Sequence, residues 1–176
     1  FNLITILFGI ASMPLAFTYP LMKRYTYWPQ FFLGITFNYG LLLGWTSINE
    51  SISLAPFIFY LGAIFWTLGY DTIYGFQDIE DDEIIGVKST SIKFKKNPKV
   101  FLSISYFLFV LCFLIMGIIL NLSNYFFAGI FIVIIHLFFF QIYSFEKSDK
   151  IKCLNIFKSN NFLGLLILIN IFLGKI

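Results

Sequence analysis

The chain has 176 residues, of which 59% are hydrophobic and only 12% charged, with a net charge of +3. Soluble domains carry roughly a quarter charged residues, so this composition excludes a water-soluble fold, and the small net charge is no nucleic-acid signal. Apolar runs of about 18 to 22 residues without an internal charge match the length a helix needs to cross a bilayer, so the predicted fold is all-α, a polytopic transmembrane helix bundle.

Six spans are predicted, roughly residues 2–18, 28–47, 54–74, 100–121, 125–145 and 157–174. The first residues, starting at Phe1, read as the interior of a hydrophobic helix and not as a signal peptide with a basic start. Residues 1–176 are therefore read as a single transmembrane domain whose N-terminal part is missing. Between spans one and two, Lys23 and Arg24 lie among Tyr19, Tyr25, Tyr27 and Trp28, a composition common in interfacial anchors. The pair gains interest as an anion contact if it faces the acidic segment described below. Span two carries Asn38 beside Tyr39 and Gly40, a candidate for lining a cavity. In span five, His136 reads as a helix–helix hydrogen bonder rather than a ligand. Cys112 and Cys153 read as two unpaired thiols.

Lysine and arginine concentrate in cytoplasmic loops near span ends. With the connection after span three on the cytoplasmic side, alternation places eleven of the twelve basic residues on that face and only Lys175 on the other. The pattern favours a bacterial cytoplasmic (inner) membrane, with the mitochondrial inner membrane as the alternative, and puts the chemistry on the cytoplasmic face.

The most informative stretch runs from Asp71 to Asp82, Asp-Thr-Ile-Tyr-Gly-Phe-Gln-Asp-Ile-Glu-Asp-Asp. On a continuous helix Asp71, Asp78 and Asp82 fall within roughly 40° of one another and share one stripe. Gly75, near that stripe, leaves room for something to approach the backbone. Such a density of like charge calls for a bridging cation, and hard oxygen ligands suit Mg²⁺, which binds through one or two carboxylates plus substrate phosphate oxygens. An acidic loop is often only a solvated face. Asp71, however, ends an apolar run, where an unpaired carboxylate is costly and points to a site. Downstream, Ile85-Gly-Val-Lys88-Ser-Thr90 offers a glycine for a turn, a cation that is either a diphosphate partner or one more interfacial lysine, and hydroxyls to cap a following helix.

These residues resemble the UbiA superfamily of membrane-bound aromatic prenyltransferases. The matching text is Tyr19 to Gln30 (Tyr-Pro-Leu-Met-Lys-Arg-Tyr-Thr-Tyr-Trp-Pro-Gln), Gly34 to Trp45, Gly69 to Tyr74 with Gln77 to Asp82, Ile85 to Thr90, and Phe157 to Asn160. The Tyr19 to Gln30 run is similar to the branch that prenylates 4-hydroxybenzoate in ubiquinone biosynthesis; the aspartate-rich segment is shared with the menaquinone, haem O and tocopherol branches. The resemblance implies a nine-helix fold of which these spans are helices four to nine. It also implies Mg²⁺ as cofactor, with polyprenyl diphosphate and 4-hydroxybenzoate as substrates. It assigns the metal to Asp71, Asp78 and Asp82 as the second of two aspartate-rich motifs, with catalytic roles for Asp71 and Asp78. Diphosphate contacts fall to Tyr19, Lys23, Arg24 and Lys88, and Asn38 and Tyr74 are expected at the substrate cavity. The first aspartate-rich motif is absent from the sequence, so the isolated chain is expected to be inactive. A competing class, a transporter fragment binding cations along a pore, would place ionisable residues deep in several spans; here they gather at one face.

Overall fold

The computed structural model describes residues 1–176 and is all-helical. Six helices are long and apolar enough to cross a membrane: α1 (Leu3–Tyr25), α2 (Pro29–Asn49), α3 (Leu54–Tyr74), α6 (Pro98–Ile119), α7 (Asn124–Ile142) and α8 (Lys150–Leu173). Two short helices, α4 (Ile79–Ile85) and α5 (Thr90–Lys93), lie in the connection between α3 and α6. The sixth span starts at Lys150 rather than at residue 157, because Asp149 caps the helix by accepting a hydrogen bond from the Lys152 backbone N–H at 2.8 Å. Hydropathy marks the apolar part of a helix, whereas capping sets where the helix starts. Likewise α1 continues past Thr18 through a tight turn at Tyr19–Leu21 to end at Tyr25.

Helix α3 is the hub, packing most extensively against α6 and also against α2 and α8. Lipid tails are as apolar as leucine side chains, so helices associate in membranes through close packing and polar contacts. Both operate here. A β-carbon on Gly69 would stand 2.2 Å from the Tyr106 ring, and Tyr106 is fully buried with its hydroxyl donating to Gln141 Oε1. The same polar thread continues as Gln141 Nε2 donates to Asn160 Oδ1 at 2.9 Å and Trp66 Nε1 to the same oxygen at 2.8 Å. Four helices are thereby tied together by side chains that would be costly to leave unpaired in hydrocarbon. His136 meets Ser159 of α8 at 3.2 Å, an interhelical contact. Asn38 interrupts α2 and spends its amide on bonds to Gly34 O (2.9 Å), Ala63 O (3.2 Å) and Thr67 Oγ1 (2.8 Å), binding α2 to α3. Both cysteines are buried and free.

The three lysine-bearing connections meet at one end of the bundle. Lys150 Nζ lies 3.4 Å from Glu80, Lys95 pairs with Glu83, and the Lys88 backbone N–H donates to Lys23 O at 2.8 Å. At the opposite end the Ser123 N–H donates to Gly174 O at 2.8 Å.

What folds the α3–α6 connection back onto the bundle is a buried latch. Thr72 and Thr90, both 0% exposed, share a hydroxyl–hydroxyl bond of 2.6 Å. Ser91 Oγ donates to Thr72 O at 2.8 Å, and the Thr90 N–H donates to Gln30 Oε1 at 3.0 Å. Ser89 caps α5 by accepting from the Ile92 N–H at 3.2 Å, as the sequence predicts. Gly75 does leave room for an approach to the backbone, and the approaching group is Ser91, whose Oγ would lie 2.4 Å from a β-carbon there.

Two stability outcomes follow from this packing. Gly69→Ala, which drives a methyl into a ring that cannot retreat, is expected to cost about 1–3 kcal/mol, read as a lowered thermal midpoint in detergent. Thr72→Val leaves the Thr90 hydroxyl without its buried partner and is expected to cost about 1–3 kcal/mol. Limited proteolysis should then cut faster between residues 75 and 89, while cleavage at the α6–α7 connection stays unchanged; equal protection of both connections would contradict the latch.

Candidate functional site

Asp71 sits one turn from the end of α3, on the side facing α1 and α2. A cavity of about 430 Å³ elsewhere on the same end is lined by Lys96, Lys99 and Lys147, but the one holding the motif residues is smaller. That cavity, about 230 Å³, is lined by Tyr19, Pro20, Lys23, Pro29, Gln30, Leu33 and Asp71. Three elements create it. The tight turn at Tyr19–Leu21 swings Tyr19 and Lys23 inward, Pro29 starts α2 with Gln30 facing the same space, and α3 supplies the carboxylate.

Lys23 pairs with one acid and shares the cavity with another. It shares the cavity with Asp71, and its Nζ lies 3.7 Å from Asp82 Oδ2 of α4. Asp82 is well covered, with 13% of its side chain exposed, while Lys23 retains 52%. A lysine between two carboxylates, still open to solvent, is suited to binding an incoming anion, since its charge need not be fully consumed by either partner.

The sequence expectation of a three-carboxylate stripe on one helix needs correction. Helix α3 stops at Tyr74, with Gly75 capping it, and Asp78 is the N-cap of the separate α4. The chain must bend there because Ser91 occupies the space beside Gly75 and the latch draws the connection back. Asp78 therefore lies exposed on the turn, and no three acidic, histidine or cysteine side chains converge into a group able to hold a metal. The donor chemistry of Asp71 and Asp82, hard carboxylate oxygens, still fits a magnesium diphosphate, because Mg²⁺ uses one or two carboxylates and takes further ligands from phosphate and water.

Other candidates lie outside the cavity. Arg24 is exposed on the last turn of α1 and forms no ion pair. Lys88 places its Nζ 3.2 Å from Tyr25 O and 5.6 Å from the centre of the Tyr27 ring, in a neighbouring cleft with Glu83 and Gly86. There it caps the carboxyl end of α1, where a cation is favoured by the helix dipole. Gly86 has φ +79°, the left-handed conformation that ends α4 and turns the chain toward Lys88. Asn38 is committed to joining α2 and α3, and Tyr74 packs on Phe157 of α8 with ring centres 4.5 Å apart.

Gln30, which closes the matched run from Tyr19, is the cavity residue to which the sequence assigned no role. It is 3% exposed and bonded to Thr90 through the latch. The available signal was its place directly after Pro29, at the first turn of a spanning helix.

Comparisons with known proteins agree with this architecture. The model of the UbiA prenyltransferase family matches residues 1–167. A mitochondrial 4-hydroxybenzoate polyprenyltransferase of Drosophila pseudoobscura pseudoobscura is 42% identical over 173 residues, 98% of this chain and 43% of the relative. The mitochondrial 4-hydroxybenzoate polyprenyltransferase of Homo sapiens is 40% identical over 176 residues, 99% of this chain and 47% of the relative. A 4-hydroxybenzoate octaprenyltransferase of Francisella tularensis subsp. novicida is 37% identical over 169 residues, 96% of this chain and 59% of the relative. The chain thus spans about half the length of the curated relatives it matches. No solved structure matches it. With six membrane-length helices, a motif-lined cavity and a family match over nearly its whole length, the chain belongs to the UbiA prenyltransferase family.

Proposed function

We propose that this protein transfers a polyprenyl group from polyprenyl diphosphate to 4-hydroxybenzoate, a step of ubiquinone biosynthesis, with magnesium as cofactor. The observation that carries the proposal is the cavity itself. It unites Tyr19, Lys23 and Asp71, two donors and an acidic acceptor, at the lysine-rich end of a membrane helix bundle. The names of the relatives, all 4-hydroxybenzoate prenyltransferases, support this acceptor over those of other branches.

In this reading residues 1–176 belong to one transmembrane domain, and the cavity end faces the cytoplasm or the mitochondrial matrix of an inner membrane, as the lysine distribution favours. The Lys23 ammonium and the Tyr19 hydroxyl donate hydrogen bonds to diphosphate oxygens. Their bonds strengthen as the allylic carbon–oxygen bond breaks and the diphosphate leaves with its electron pair, so they favour the transition state over the bound substrate. Asp71 accepts the phenol proton, raising electron density in the ring. The ring carbon next to the phenol then forms the new carbon–carbon bond with the allylic cation and gives its proton to the diphosphate, and Asp71 returns the phenol proton to the product oxygen. Asp71 and Asp82, with Asp78 on the adjoining turn, would hold magnesium, which supplies charge neutralisation to the departing diphosphate. Arg24 and Lys88 add positive potential at the entrance, which speeds encounter with an anionic substrate.

The test is transfer of a radiolabelled prenyl group to 4-hydroxybenzoate by membranes containing the full-length protein. Product should form with Mg²⁺, vanish on chelation and return when the metal is restored; its absence under all conditions overturns the proposal. Asp71→Asn is expected to lower turnover by about 100-fold or more, the scale of a lost acid–base group. Asp81→Asn, on the exposed face of α4, should change it by less than about twofold. Lys23→Ala should lower kcat/KM for the diphosphate by about tenfold or more, the scale of a hydrogen bond to a charged group, with part of the loss in kcat.

A further inference from the structure

The cavity contains, besides the half-buried Asp71, a buried polar group. Gln30 is 3% exposed and lines the same space. Its orientation is determined by its partner, since the backbone N–H of Thr90 can only donate and lies 3.0 Å from the amide. Oε1 must therefore face Thr90. Nε2 is left as the free end of the amide, with no hydrogen-bond partner in the protein, in a side chain lining the cavity with Asp71. That N–H₂ is open to the cavity, where a ligand or water completes its hydrogen bonds.

Donor and acceptor then line one cavity, the Gln30 N–H₂ able to offer hydrogen and the Asp71 carboxylate able to accept it. The oxygen that satisfies both is one that donates and accepts at once. A phenol hydroxyl does so, giving its proton toward a carboxylate while accepting from an amide. A carboxylate oxygen has no proton for Asp71 and would be repelled by it. A diphosphate oxygen has the same defect and is matched instead by Lys23 and Tyr19. Resting on the prenyltransferase reading above, we infer that Gln30 is a substrate-orienting residue whose Nε2 donates to the phenol oxygen of the aromatic acceptor while Asp71 takes the hydroxyl proton, so that the two select for a hydroxylated ring.

Gln30 also has a structural task, because it holds Thr90 in the latch, and the experiment must separate the two. Gln30→Glu keeps an oxygen for the Thr90 N–H but replaces the donor end by an acceptor. Gln30→Leu removes both. Binding of 4-hydroxybenzoate and of 4-methylbenzoate, in which a methyl replaces the hydroxyl, is measured by calorimetry on the full-length protein in detergent. Mildly alkaline buffer keeps an introduced carboxyl ionised. The unaltered protein is expected to prefer the hydroxylated acid by about tenfold, the scale of one hydrogen bond. Gln30→Glu should lose that preference with proteolysis between residues 75 and 89 unchanged, because its oxygen still holds the Thr90 N–H, whereas Gln30→Leu should lose the preference and also be cut faster there. A preference retained by Gln30→Glu, or absent from the unaltered protein, overturns the inference and leaves the prenyltransferase reading intact. That reading stands or falls on product formation in the separate transfer assay.

Discussion

The buried latch joining Gln30, Thr72, Thr90 and Ser91 is the constraint on which the site depends. It links three segments distant in sequence, the start of α2, the end of α3 and the connection that follows. Each bond is modest, about 1 kcal/mol net, but the groups are almost fully covered and costly to leave unpaired. The connection is therefore held against the bundle, and with it α4, whose Asp82 reaches Lys23. Without the latch the acids of α4 would sit on an untethered loop and the cavity would lose one wall of its electrostatics.

The second organising feature is the position of Lys23 between Asp71 and Asp82. Acidic residues outnumber local cations along the segment from Asp71 to Glu83, and the ion pairs to Lys23, Lys95 and Lys150 relieve that repulsion from three different connections. These are largely exposed pairs, individually weak. Their value lies in geometry, because they draw all three lysine-bearing connections onto α4 and the segment that follows it, at one end of the bundle. The polar thread through Trp66, Asn160, Gln141 and Tyr106 does the same for the helices beneath, orienting α3 so that Asp71 faces α1 and α2 and not lipid.

Much of the fold was legible in the sequence, since bilayer thickness imposes a length and polarity on every span. Boundaries were less so where capping or tight turns set helix ends, as at Asp149 and Tyr19. In the site, the resemblance named Tyr19 and Lys23 as diphosphate contacts, and both line one cavity with Asp71. Helical periodicity failed for Asp78, because it assumed continuity through Gly75. Asn38 and Tyr74 were expected at the cavity from composition and motif, yet their contacts are with neighbouring helices.

What the sequence by itself determined is the class of molecule, its six spans, the gathering of lysines at one face, and membership of a prenyltransferase family, because hydropathy, charge placement and motif spacing are properties of the chain. What only the tertiary structure decided is which polar groups meet. The helix ends at Gly75 because Ser91 packs there, Lys23 pairs with Asp82 of α4 while lining one cavity with Asp71 of α3, and Gln30 turns its amide oxygen to Thr90. None of these follows from periodicity, since each depends on a hydrogen-bond or charge partner supplied by a remote segment.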